Sequence, residues 1–218
     1  MVVVVAAVVA ATTIWRHVSS PGPLDNGSQP GGTGYAGISV NPGQVADFSV
    51  TVRNSGSSAV TLERAALLPV PGLRAPRLVH VAVLVEHAEL ITSARGWPIP
   101  RGSDPTSGYW LTHPLRGYVV LPWQTRRSRH LGPLPDMIVY GVSGPLPDRD
   151  YASAGLLVTY RIGSATYSQR LYNGGDACVL TGNLDDQAVR QARYNRYCAA
   201  TDRKAIHAVV RLAANGSS

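Results

Sequence analysis

Apolar and polar residues alternate strictly in the segment FSVTVR, residues 48–53. A period of two residues is typical of a β-strand with one buried face. The turn-forming residues NSGS (54–57) follow, and apolar positions resume at Val60 and Leu62. The pattern predicts two antiparallel strands joined by a tight turn, the first over about 45–53.

Four more segments have the composition of strands. They are LVHVAVLVEH (78–87), GYVVLPW (117–123), DMIVYGVSG (136–144) and AGLLVTYRIGSATYSQRLY (154–172). The first is apolar nearly throughout, as in a strand buried on both faces, and the last contains a hairpin turn at 162–165. The total of about seven strands is that of a β-sandwich. We therefore expect one mainly β, antiparallel sandwich domain with a long proline-rich loop over 88–116.

The C-terminal residues change to a helical pattern. Asn183 is a candidate N-cap, Asp185 and Asp186 follow where a first helical turn favours acids, and a weakly apolar face continues to about 199. We expect a helix over about 184–199 that packs on the sandwich. The β-branched residues of IHAVVRL (206–212) favour a terminal strand, with a helical turn as the alternative.

The first fifteen residues, MVVVVAAVVAATTIW, carry no charge. The run is shorter than the roughly 20 apolar residues that cross a bilayer as a helix, but close to the apolar core of a secretory signal. Arg16 and His17 end it as a membrane-interface flank would. Residues 1–18 are therefore predicted to be a signal anchor or signal peptide, with a buried strand as the alternative. Residues 19–37, rich in Gly, Pro and Ser, are expected to tether a domain over 38–218.

The chain is unusual in which charged residues it contains rather than in the size of its net charge. Only 15% of residues are charged, against about 25% in an average soluble protein. The net charge is +7, and 19 of the 20 basic residues are Arg, since Lys204 is the only lysine. Ala, Gly, Pro, Val and Arg dominate, as they do in proteins from GC-rich genomes. The net charge therefore does not by itself indicate an anionic partner.

The chain has two cysteines, Cys178 and Cys198. In an exported chain an even number of cysteines suggests a disulfide. Closing a loop of about 20 residues would stabilise the domain by roughly 3 kcal/mol in the chain-entropy model. Two free buried thiols in a cytosolic protein are the alternative. A zinc site is not expected, because no second cysteine pair is present.

The stretch NPGQVADFSVTVRNSGSSAVTLERAAL resembles the opening strands of bacterial immunoglobulin-like modules. In those modules a Pro-Gly lead-in precedes a strand that ends in Arg-Asn and a turn of small residues. The resemblance covers about residues 38–68. It implies an immunoglobulin-like sandwich with an extracytoplasmic accessory or adhesive role, and it transfers no catalytic residue.

No catalytic or metal-binding pattern is present. The six histidines, at 17, 80, 87, 113, 130 and 207, lack the i, i+4 spacing of a metal helix and the i, i+2 spacing of ligands on one strand. Neither G-x-S-x-G nor a phosphate-binding glycine loop occurs. The acid pairs Asp148 with Asp150 and Asp185 with Asp186 are explained by turn and capping chemistry. The sequence predicts a non-enzymatic protein with no catalytic residue, cofactor or metal.

Two basic sets with aromatic neighbours form the candidate binding surface for an anionic ligand. They are Trp123, Arg126, Arg127 and Arg129 in an apparent loop at 123–130, and Arg190, Arg193 and Tyr197 on one face of the predicted helix. Arginine with aromatic residues suits phosphate or carboxylate groups through forked hydrogen bonds and stacking. A solvated, arginine-rich surface without a ligand is the alternative.

Two hypotheses for the function follow. The first is a membrane-tethered, extracytoplasmic module that docks an envelope protein through the 88–116 loop or a sheet edge. The second is a binding domain for an anionic lipid headgroup or wall polymer, which would use the two arginine sets. Both place the C-terminal domain outside the cytoplasm, attached to the membrane by the N-terminal segment or secreted if that segment is cleaved, and neither involves nucleic acid.

Overall fold

The computed structural model describes residues 22–25, 34–84, 93–95, 111–129, 135–182 and 186–216. The predicted membrane segment 1–18 lies outside them, as do most of the 19–37 tether and of the 88–116 loop. The strands are β1 (Leu24–Asp25), β2 (Gly34–Val40), β3 (Ala46–Asn54), β4 (Val60–Pro69), β5 (Arg77–Leu84), β6 (Ser93–Arg95), β7 (Thr112–Pro114), β8 (Val119–Val120), β9 (Asp136–Ser143), β10 (Arg149–Ile162) and β11 (Ala165–Val179). The helices are α1 (Trp123–Ser128), α2 (Gln187–Tyr197) and α3 (Ala199–Gly216).

The strands form two sheets. One has the order β1-β3-β9-β5-β7, with β6 also paired to β3, and the other has the order β2-β11-β10-β4-β8. The prediction of a mainly β protein is confirmed. All ladders between these strands are antiparallel except β2 with β11, which is parallel. The expectation of purely antiparallel strands is therefore wrong at β2.

The main hydrophobic core lies between the two sheets. It joins Phe48, Val50 and Val52 of β3 with Leu156 and Val158 of β10, all of them buried. These residues occupy alternate positions, so the side chains of each strand that face inward meet those of the other sheet. The alternation at 48–53 thus predicted both the strand and its buried face.

The tether prediction does not describe all of residues 19–37. Leu24–Asp25 pairs with the end of β3, and Gly34–Val40 pairs with the last strand of the domain. Leu24 and Val40 are buried in the core. Glycine and serine content suggested a spacer, but these apolar residues supply enough burial to order the strands.

The hairpin at the centre of the second sheet is longer than predicted. The turn lies at Gly163 and Ser164, as expected, but β11 continues to Val179 through the segment Asn173–Asp176, where the strand was predicted to end. The two glycines of that segment are needed for packing rather than for a turn. A Cβ atom on Gly175 would lie 2.7 Å from the Phe48 ring.

Three other predicted elements change in kind or extent. The apparent loop at 123–130 contains the helix α1, and the predicted strand at 117–123 is reduced to Val119–Val120. The expectation that 78–87 is buried on both faces is wrong for its first half, since Val79 is 42% exposed. Residues 85–87 and 130 lie outside the described residues.

A helical layer covers the outer face of the second sheet. The predicted helix at 184–199 is α2, which begins at Gln187 behind the N-cap Asp186; Asn183, the expected cap, lies outside the described residues. The predicted terminal strand at 206–212 is wrong, because these residues belong to α3. Ala205 and Val209 are buried against Ala152 and Ala154 of β10. Their spacing of four residues suits a helix, and this burial outweighs the strand preference of the valines.

Candidate functional site

The disulfide prediction is confirmed. Cys178 and Cys198 are bonded, with Cα atoms 6.0 Å apart. Both are buried, and they pack with Leu180, Tyr194 and Tyr197 in a small apolar cluster. Cys178 lies near the end of β11, and Cys198 lies between α2 and α3. The bond therefore fixes the junction of the two helices to the sheet.

In the first arginine set, one member is engaged within the fold. Arg126 Nη1 lies 2.6 Å from Asp136 Oδ1, a carboxylate that also accepts a hydrogen bond from the Tyr118 hydroxyl at 3.1 Å. Burial and the charge of Asp136 raise the pKa of Tyr118 to about 12. Arg127 and Arg129 are exposed. Half-buried Trp123 begins α1 and belongs to the same region.

In the second set, Arg193 is also engaged within the fold. Its Nη2 atom lies 2.9 Å from both carboxylate oxygens of Asp148 and also contacts the Thr181 hydroxyl. Burial alone would raise the pKa of Asp148, but the hydrogen bonds from Arg193 and Thr181 hold it below its ordinary value. The Tyr197 ring contacts the Arg193 guanidinium, whose carbon lies 5.6 Å from the ring centroid.

The two arginine sets do not form one surface. Asp136, the partner of Arg126, begins β9, whereas Asp148, the partner of Arg193, follows the end of that strand. A strand of eight residues separates its two ends by roughly 25 Å. The chain therefore places the sets near opposite ends of β9, and Arg126 and Arg193 serve to hold α1 and α2 in place.

A pair of buried carboxyl groups lies beneath the helical layer. Asp176 of β11 is 0% exposed and Asp150 of β10 is 4% exposed. Among the described residues, neither carboxyl oxygen of Asp176 has a hydrogen bond of ordinary geometry, although the Tyr35 hydroxyl faces it and lowers its pKa. Asp150 Oδ1 accepts a bond from the Tyr151 amide at 3.0 Å. Burial raises the pKa of each carboxyl, and the charges of Asp150 and Asp202 raise that of Asp176 further.

Residues from three elements enclose this pair. Gly37 of β2 pairs with Asp176, and a Cβ atom on Gly37 would lie 2.7 Å from Asp176 Oδ1. Asp202, in the first turn of α3, accepts a hydrogen bond from the hydroxyl of Tyr194 in α2. Burial and these negative charges raise the pKa of the Tyr35 and Tyr194 hydroxyls. We call Asp150, Asp176 and Asp202 the carboxyl cluster.

The outward face of α3 carries apolar and basic side chains side by side. Ile206 is 38% and Val210 is 52% exposed. The basic residues Arg203, Lys204, His207 and Arg211 are exposed beside them. Because residues four apart lie on the same side of a helix, Ile206 and Val210 form one ridge, and Arg203, His207 and Arg211 form the next. No hydrogen bond or ion pair joins these four basic side chains to another described residue.

Sequence reasoning missed the carboxyl cluster. Asp150 was assigned to a turn, and Asp176 to the end of a strand. The available signal was the segment Gly174–Gly175–Asp176 between apolar residues, because two glycines inside a strand indicate close packing on both faces. Tyr35 and Val209 occupy the space that a Cβ atom on Gly174 would need.

The structure adds neither a metal site nor a membrane-crossing helix within the described residues. They contain no group of three or more metal-ligating side chains suitably placed for an ion. No helix in the same residues combines the length and the apolar character needed to cross a membrane. No protein-family model matches the chain, and no curated protein matches it.

Proposed function

We propose that this chain is a non-enzymatic, extracytoplasmic interaction module that docks a protein partner through the outward face of α3. The observation that carries the proposal is the exposed ridge of Ile206 and Val210 beside basic side chains that have no partner among the described residues. Apolar side chains that are surrounded by charged ones are typical of protein interfaces. The disulfide fixes the start of α3, which lowers the entropy lost when a partner binds.

We propose a protein partner rather than a lipid surface because the apolar face of α3 already packs on the sheet. A helix that lies in a membrane interface buries a broad apolar face among the lipid chains. In α3 that face, which includes Ala205 and Val209, packs on the sheet. The apolar side chains left outside are too few to insert into a bilayer. Together with the basic ridge, they suit a partner with a small apolar patch and acidic side chains around it.

The strand order supports an immunoglobulin-like fold for this module. In such sandwiches one sheet has the order A-B-E-D, and the other contains C, F and G. The orders β1-β3-β9-β5 and β11-β10-β4 correspond to these two arrangements. The hydroxyl of Tyr151, near the start of β10, bonds the backbone of Leu146 upstream. This resembles the tyrosine corner at the start of strand F.

The disulfide supports a location outside the cytoplasm. Disulfides persist in oxidising compartments and are rare in the cytosol. We propose that residues 1–18 hold the domain at the membrane, or direct its secretion if they are removed.

Site-specific crosslinking in the cells that produce the protein tests the proposed surface. A photoreactive residue at position 210 should yield one discrete protein adduct. Val210→Asp, at a half-exposed site, should abolish partner binding without unfolding the domain.

A photoreactive residue at position 79 is the matched control, since Val79 is comparably exposed on the other sheet. Equal adducts from both positions, or adducts with lipid or wall polymer alone, would contradict the proposal.

A further inference from the structure

No cationic side chain of the described residues stabilises the carboxyl cluster. Three acidic residues, Asp150, Asp176 and Asp202, act on one another where β10, β11 and α3 meet. In the described part of the chain, the other titratable groups facing them are the hydroxyls of Tyr35 in β2 and Tyr194 in α2. An ionised carboxylate that is buried without a cation or hydrogen-bond donor costs several kcal/mol. At least one carboxyl should therefore hold a proton in the folded protein.

Asp176 is the best position for that proton. Asp202 accepts a hydrogen bond from Tyr194 and Asp150 accepts one from the Tyr151 amide, so each has a donor that stabilises its charge. Asp176 faces only the Tyr35 hydroxyl, without a hydrogen bond of ordinary geometry among the described residues, and its side chain is the most deeply buried of the three. Burial and the charges of Asp150 and Asp202 outweigh the stabilising effect of that hydroxyl. A protonated Asp176 can donate a hydrogen bond to the neighbouring carboxylate of Asp150.

We propose that the carboxyl cluster is a pH-sensitive latch, in which a proton on Asp176 keeps α3 docked on the sheet and loss of that proton releases the helix. The first turn of α3 carries Asp202 directly into the cluster. A third negative charge therefore repels this turn, while the rest of the helix is held by apolar packing of Ala205, Val209 and the partly buried Leu212. The motion is restricted to α3, because the disulfide at Cys198 holds the preceding helix.

The direction in which pH changes the docking of α3 follows from the linkage between docking and proton binding. The docked state binds the proton more tightly than the released helix does, since burial and the nearby charges raise the pKa of Asp176 in the docked state. Docking is then strongest below the ordinary carboxyl pKa of about 3.9 and weakens as the pH rises through the raised value. The raised pKa values of Tyr35 and Tyr194 keep both hydroxyls neutral over this range.

Hydrogen exchange of the full chain, followed by mass spectrometry, tests the latch. Protection factors corrected for the intrinsic pH dependence of exchange should fall in α3 by up to about ten-fold per pH unit between the ordinary carboxyl pKa and the raised pKa of Asp176, while those of α2 stay constant. In Asp176→Asn, whose amide is neutral at every pH, α3 should stay protected throughout. Asp25→Asn on β1 is the matched control and should retain the pH response.

Three results would overturn the latch. They are constant protection of α3 in the wild-type protein, an equal fall in α2 and α3, and an unchanged response in Asp176→Asn. If Asp176→Asn fails to fold, Asp150→Asn provides the second variant. It removes one of the negative charges that raise the pKa of Asp176, so the transition of α3 should shift to lower pH and become smaller. An unshifted transition in that variant would equally contradict the inference. The test involves no partner, so it stands apart from the proposed docking function.

Discussion

At the scale of single residues, Gly155 has the most constrained backbone in the described part of the chain. Its φ is +124°, and a Cβ atom there would lie 2.1 Å from the Leu171 carbonyl oxygen. The register of β10 against both neighbouring strands shifts at this point. Such a bulge brings two backbones together more closely than any side chain allows.

We predict that Gly155→Ala lowers the free energy of unfolding by about 2–4 kcal/mol, because strain and the clash with Leu171 add together. Urea unfolding monitored by circular dichroism measures the change. Gly163→Ala is the control, since Gly163 also has a positive φ, +60°, but has open space around it. It should cost only about 1 kcal/mol. Equal losses in the two variants would show that the clash is relieved by local movement.

The carboxyl cluster shows why single residues of a site escape sequence reasoning. Asp150 and Asp176 are distant in sequence, and the strand register brings them together near the paired positions Ala152 and Asp176. Asp202 joins them only because α3 folds back over the sheet. Register and helix docking depend on packing across the whole domain, which composition and spacing do not specify.

At the scale of elements, the disulfide links the last strand to the helical layer. We predict that replacing both Cys178 and Cys198 by Ala lowers the free energy of unfolding by about 3 kcal/mol, since the unfolded chain regains the entropy of an open loop. Urea unfolding of this variant, compared with the wild-type protein, measures the loss. Wild-type protein in reductant should match the variant. Stability that is unchanged by both treatments would contradict the prediction.

Strands were easier to predict than the C-terminal helices. The alternation at 48–53 reports one apolar and one polar face, and that pattern determines a strand locally. The segment 206–212 contains valines that suit either structure, and only the burial of Ala205 and Val209 on the sheet selects the helix. The short helix α1 was missed because no apolar periodicity is visible in six residues.

At the scale of the whole molecule, the sequence predicted the class of fold better than its boundaries. The two-sheet architecture was predicted from the number of candidate strands, about seven. The parallel strand β2 was missed, because its glycines resemble a spacer and its partner, β11, lies far away in sequence.

We predict that residues from about 38 onward lie outside the cytoplasmic membrane, where the disulfide can persist. Protease added to intact cells should digest the domain after reduction and unfolding, and thiol trapping should find no free cysteine before reduction. A cytoplasmic protein of known location serves as the control for cell integrity. A domain that stays protected in intact cells but is digested in lysed cells would contradict the export hypothesis.

The parallel pairing of β2 with β11 has a mechanical consequence. If the chain is held at its N-terminus and loaded through a partner on α3, the force reaches β11 through the Cys178–Cys198 bond and bypasses α2. The two strands are then pulled in opposite directions along their length. Because the hydrogen bonds of a parallel pair are evenly spaced, they share the load in shear instead of opening one after another. The domain would resist tension between its attachment point and its partner most strongly along this line.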